Sequence, residues 1–124
     1  MTEKLRPSLW RRLMNSLGAW PRGGVETFDL IPDGFVFTRR NKPVQVFWNE
    51  IVQIDAGMRD YLTVDLFFAV VHTDREKLVI DELADGFRLL EAGVFDRWPK
   101  IRERWLALQG GPHRWPALET LWKL

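Results

Sequence analysis

The spacing of apolar residues along this chain switches twice, from helical to alternating and back to helical. Residues 8–17 place Leu9, Trp10, Leu13, Met14 and Leu17 three and four positions apart, with Arg11 and Arg12 opposite them. That is one amphipathic helical face over about three turns. Pro7 suits the first turn of such a helix and Gly18 its end. Trp20-Pro21-Arg22-Gly23-Gly24 would break any regular element, so residues 1–24 are predicted as a helix with its linker and residues 25–124 as a single body.

From Val25 the period is two. VETFDLI and FVFTRR flank Pro32-Asp33-Gly34, where Pro presets φ, Asp offers a side-chain acceptor and Gly tolerates a positive φ. A turn at Asn41-Lys42-Pro43 leads to VQVFW, IVQIDA follows, and Gly57 to Asp60 is predicted as the next turn. LTVDLFFAVVHT is the longest β-rich run, and Thr73-Asp74-Arg75-Glu76 joins it to KLVID as a hairpin. About six antiparallel strands result.

After Asp81, Leu83, Phe87, Leu90 and Val94 recur at helical spacing, with Asp81 or Asp85 available as a cap. Pro99 opens a second helical segment in which Ile101, Trp105 and Leu108 face one way, and Gly110-Gly111-Pro112 stops it. The last piece, WPALETLWKL, gathers Leu118, Leu121 and Trp122 on one side and is expected to dock back onto the body as a continuation of the helical part. The predicted class is α+β. Its core should hold Trp48, Ile51, Ile54, Leu66, Phe68, Phe87, Leu90, Trp105 and Leu108.

Composition bounds the function. The apolar fraction of 46% and charged fraction of 28% over 124 residues suit one folded domain. Seven Trp and eight Phe can stabilise a core of this size without disulfides, and the chain has no Cys. Disulfide frameworks, thiolate nucleophiles and zinc–thiolate sites are thereby excluded, and a cytoplasmic location is expected. Neither a secretory signal nor a membrane span is predicted, because the longest apolar run, Leu66 to Val71, is far short of the roughly 20 residues that cross a bilayer. The net charge of +1 divides as +4 over residues 1–24, −5 over 25–82 and +2 over 83–124. An acidic middle argues against nucleic acid and favours a basic protein partner.

Catalytic motifs are missing from the sequence. Ser8 and Ser16 lie in no G-x-S-x-G elbow, and Walker A, G-x-G-x-x-G, H-E-x-x-H and calcium-loop patterns are absent. No metal, cofactor or enzymatic activity is expected. His113 lies in a Gly-Gly-Pro loop, and His72 is expected as a structural residue at a sheet margin, in register with Leu66, Phe68 and Val70. The remaining candidates are carboxylates. Asp55, Asp60 and Asp65 flank one predicted turn, and Asp65 shares a strand face with Thr63, Phe67, Ala69 and Val71, so burying it would require a partner. Arg59 is close in sequence. Asp81, Glu82 and Asp85 at the strand-to-helix junction fit capping and dipole compensation. The candidate binding residues are therefore Asp55, Asp60 and Asp65, with Trp10, Arg11 and Arg12 on the N-terminal helix.

Phe47-Trp48-Asn49-Glu50-Ile51-Val52-Gln53-Ile54 resembles the W-x-x-I-x-x-I third-strand pattern of pleckstrin-homology-like domains, including their bacterial and GRAM relatives. With the helix around Trp105, the resemblance covers roughly residues 25 to 109. It implies a strongly bent antiparallel sheet or partly open barrel, closed at one end by a C-terminal helix. Lipid-binding members gather basic residues at the first hairpin, whose tip here is the acidic Pro32-Asp33-Gly34, while Arg39, Arg40 and Lys42 fall at the next turn. The implied function is thus protein or peptide binding. A membrane-surface adaptor, with Trp10, Arg11 and Arg12 at an anionic lipid interface, is the alternative. The chain is also similar to small bacterial proteins that look like toxin-immunity factors, which would make it an inhibitor. The apolar face of residues 8–17 is expected to be buried against its own domain or in a homodimer.

Overall fold

The computed structural model describes residues 26–61, 64–110 and 117–124. The predicted N-terminal helix with Trp10, Arg11 and Arg12, and also His113, lie outside the described residues. Strand β1 (Thr27–Ile31) turns through Pro32-Asp33 into β2 (Gly34–Arg39), which turns through Arg40-Asn41 into β3 (Lys42–Phe47). In the first turn Asp33, not Gly34, takes the left-handed conformation, at φ 60°. Gly34 is needed for another reason, since a Cβ there would lie 2.2 Å from the Val46 carbonyl oxygen on the paired strand. Arg40 and Asn41 are both left-handed, at φ 51° and 63°, the conformation of a type I′ hairpin that matches strand twist. The second turn therefore falls earlier than predicted, and Lys42 and Pro43 belong to β3.

A 3₁₀ turn, Trp48–Glu50, leads into β4 (Ile51–Tyr61), which continues through the predicted turn at Gly57 to Asp60. Pairing with β5 holds all of those residues extended, and β7 pairs Gly57 and Met58 on the other edge as well. Strand β5 (Val64–Thr73) returns antiparallel and β6 (Lys77–Asp81) follows the expected hairpin. Thr73 closes that hairpin, its Oγ1 accepting from the N–H groups of Arg75 and Glu76 at 3.2 and 3.1 Å. Helix α1 (Phe87–Arg97) and helix α2 (Ile101–Gly110) come next, then β7 (Ala117–Lys123).

Six strands between residues 25 and 81 are present, but they form two sheets rather than one bent sheet or barrel: β1-β2-β3 and β6-β5-β4-β7. Nor is the last segment helical. It extends as a strand along the other edge of β4, which satisfies backbone groups a helix would have left open. A bulge between Ile54 and Asp55 lets both Leu121 and Trp122 pack against the core, and this adjacent apolar pair mimicked a helical face in the sequence. Helix α1 also begins later than Leu83. Gly86, at φ 86°, occupies its N-cap, and no side chain caps it. Asp81 instead accepts from the Leu83 N–H at 2.9 Å, and the Asp85 backbone pairs with β1 through Phe28 N–H to Asp85 O at 2.6 Å.

Both sheets and both helices share one apolar cluster. Phe28, Phe35 and Phe37 enter from the first sheet, Ile54, Ala56, Phe67, Ala69, Val71 and Ile80 from the second, and Phe87, Leu90, Val94 and Trp105 from the helices. Every expected core residue is buried except Phe68, which is half-buried on the opposite face of its sheet. Along β5 the parity assigns Phe67, Ala69 and Val71 to the core instead. Among the described residues no helix is long and apolar enough to cross a membrane.

Candidate functional site

The ladder of the four-stranded sheet sorts its residues into two faces, because side chains alternate along each strand while directly paired residues share a side. Ile54, Ala56 and Met58 pair with Val71, Ala69 and Phe67, and these point to the helices. The outer face carries the other set. Gln53 pairs with His72 and that with Lys77, Asp55 with Val70 and that with Val79, Gly57 with Phe68 and that with Asp81, and Arg59 with Leu66.

At one end of this face Asp55 joins three strands. His72 Nε2 lies 2.6 Å from Asp55 Oδ2, and Gln53 Nε2 donates to Asp55 Oδ1 at 2.9 Å. Since an ionised carboxylate only accepts, the contact requires the His72 proton on Nε2. Thr120 of β7 is the ladder partner of Asp55 and also hydrogen-bonds it. Burial pushes the Asp55 carboxyl up, but the hydrogen bonds from Gln53, Thr120 and His72 outweigh it and hold the group below its ordinary value. The arrangement clasps β7 and β5 to β4.

At the other end the half-buried Phe68 and Val79, with the buried Leu66, line a small apolar groove bounded by Arg59 and Asp81. The Arg59 guanidinium stacks over the Phe68 ring, 5.2 Å from its centroid. Burial raises the Asp81 carboxyl, and the nearby Glu26 charge adds to this, against the Leu83 N–H and the charges of Arg39 and Arg59. Glu82 is also raised by burial, although its Oε1 accepts from the Phe67 N–H at 2.9 Å. Arg39 ties the first sheet to the groove rim: its Nε bonds the Glu26 carboxylate, and its Nη2 donates to the Val79 carbonyl at 2.6 Å.

The three candidate aspartates do not form one cluster. Asp60 is the ladder partner of Asp65, whereas Asp55 stands five residues back along β4, roughly 17 Å of extended strand. Asp65 is half-buried at the far end of β5. His72, Gln53 and Thr120 were missed as partners of Asp55, because only strand register brings residues so distant in sequence together. The parity of LTVDLFFAVVHT already places His72, Phe68 and Leu66 on one face; which residues on β4 and β6 lie opposite is not written there. Among the described residues no group of His, Asp and Glu is arranged to hold a metal ion. The chain matches no protein-family model, no curated protein and no solved structure.

Proposed function

We propose that this chain is a non-enzymatic module that binds a protein or peptide on the outer face of its four-stranded sheet. The observation that carries this is the small groove in which the half-buried Phe68 and Val79, backed by the buried Leu66, lie between a cation, Arg59, and an anion, Asp81. The face of an antiparallel sheet turned away from the core is usually polar, and an apolar strip bounded by opposite charges suits an apolar anchor flanked by a charged residue. The excess of acid over residues 25–82, −5 in sum, favours Lys or Arg as that flank. The pleckstrin-homology-like reading belongs to the same proposal, supported by Trp48 in the 3₁₀ turn and Ile51 and Ile54 at the start of β4. In this view His72 and Asp65 hold structure, so His72→Ala and Asp65→Asn alter stability rather than a rate.

Panning a random peptide library against the full chain tests the proposal. Enriched sequences should carry an apolar residue beside Lys or Arg and should lose about tenfold or more in affinity, about 1.4 kcal/mol, for a folded Val79→Glu variant. Peptides that bind this variant and the parent chain equally would overturn the assignment of the face.

A further inference from the structure

We infer that the open edge of β7 pairs antiparallel with β7 of a second copy of this chain, joining two four-stranded sheets into one continuous sheet. The groove is a separate feature, to which β7 contributes no residue. The inference follows from where the backbone groups of β7 point. In β5 the Thr73 N–H donates to the Glu76 carbonyl at 2.9 Å and the Phe67 carbonyl accepts from the Glu82 N–H at 3.0 Å, so odd-numbered residues there bond toward β6. The even-numbered ones bond toward β4. Their partners on β4 are Gln53, Asp55, Gly57 and Arg59, which leaves Val52, Ile54, Ala56 and Met58 to bond β7. The Leu124 N–H accordingly donates to the Val52 carbonyl at 2.9 Å. With Ala117, Glu119 and Trp122 also turned toward β4, the N–H and C=O groups of Leu118, Thr120 and Lys123 point away from the sheet.

The other sheet edges are guarded. On β6 the Val79 carbonyl, outward by the same count, accepts from Arg39 Nη2 at 2.6 Å. On β1 the Phe28 N–H donates to the Asp85 carbonyl at 2.6 Å. On β3 Pro43 has no N–H, and the Phe47 N–H donates to Glu50 Oε1 at 2.9 Å. Such covers keep an edge strand from pairing with another chain. The outward groups of β7 meet no partner among the described residues, and Leu118 beside them is 59% exposed. A row of open donors and acceptors is the complement of another strand. A second copy brings that strand already extended and held in a sheet, whereas a free peptide must first lose its backbone freedom. Antiparallel pairing about a two-fold axis is self-complementary and brings the Lys123 end of one strand to the Glu119 end of the other. Parallel, in-register pairing would set like charges side by side.

Pairing along one short strand is a small interface, so the full chain should show a monomer–dimer equilibrium by sedimentation between about 10 and 500 µM. Over that range amide exchange at Leu118, Thr120 and Lys123 should slow by about tenfold, while exchange along β3 stays the same. Leu118→Pro removes an outward N–H and no bond to β4, so it should keep the urea midpoint of the parent chain and remain monomeric. Leu118→Lys places a charge at the same edge and gives the same reading if the proline variant does not fold. A parent chain that stays monomeric throughout overturns the inference. So does a dimer that persists in a folded Leu118→Pro or Leu118→Lys variant, or one whose slowed amides lie on β1, β3 or β6. A monomeric chain whose β7 amides slow only with peptides taken from the random library assigns the edge to a foreign strand, and that result overturns it as well.

Discussion

The two sides of the four-stranded sheet treat a buried carboxylate differently. On the helix side Glu91 of α1 is 5% exposed and accepts from Trp105 Nε1 at 2.7 Å and Gln109 Nε2 at 2.6 Å, with Arg88 reaching it from the surface. On the outer side Asp55 is 6% exposed and accepts from Gln53, His72 and Thr120. Burial is nearly equal, but the donors differ in what holds them. Those of Glu91 stand on two helices, and the Trp105 ring also packs against Phe67, Phe87 and Phe95. Those of Asp55 come from three strands, one of them supplied by the end of the chain. Asp81 and Glu82 complete the contrast, because burial there prevails over the hydrogen bonds and raises both carboxyls. The number of donors, not burial alone, separates Asp55 from Asp81 and Glu82.

The largest expected effect lies on the helix side. Trp105 is 0% exposed, and Trp105→Ala should cost about 3–5 kcal/mol in urea unfolding by leaving a cavity and removing a donor from Glu91. Trp105→Phe keeps one aromatic ring but removes the indole N–H donor and part of the buried volume, for about 1–3 kcal/mol. On the outer side Phe68→Ala, at a half-buried position, should cost about 1 kcal/mol. If Phe68→Ala proves as costly as Trp105→Ala, the two faces are not different in kind.

Gly93 tests how little slack the helix side has. A Cβ there would lie 2.5 Å from Cζ2 of Trp48, and such overpacking costs about 1–3 kcal/mol. Ala gains about 1 kcal/mol over Gly in a helix interior, so Gly93→Ala should be destabilising by up to about 2 kcal/mol and should alter the near-ultraviolet signal of Trp48. A net gain in stability would mean that Trp48 can shift freely.

Strand and helix periods were legible because burial on one face imprints them directly, as in Leu90, Val94, Ile101, Trp105 and Leu108. Three features were not. The division into two sheets depends on where Trp48–Glu50 redirects the chain, and a short 3₁₀ turn leaves no periodic trace. Strand β7 carries a bulge that breaks its alternation, so Leu121 and Trp122 read as neighbours on a helix. Gly57 resembled a turn, and only double-sided pairing keeps it in β4. Of the candidate site, Asp55 was legible as a residue of interest but its partners were not, since Gln53, His72 and Thr120 meet it through cross-strand register. The groove was concealed for a similar reason: Phe68 was counted into the core from hydrophobicity, whereas the parity of its strand puts it outside.

The smallest effects carry opposite signs, and they probe the contrast between acids most directly. Asp55 is held below its ordinary value, so its contribution to stability is present above that value and is lost as pH falls through the lower folded value. Asp81 and Glu82 are both raised above their ordinary values. For these two the folded chain prefers the protonated form, and stability falls as pH rises from those values through the folded ones. Asp55→Asn should therefore lower the urea midpoint at neutral pH, with the difference from the parent chain shrinking in acid. Asp81→Asn should raise the neutral midpoint, and its difference should also shrink in acid. Urea titrations of both variants between about pH 3 and pH 7 check the signs. If the two midpoints move the same way at neutral pH, net charge governs these carboxylates, and the local count of donors that separates Asp55 from Asp81 has no energetic weight.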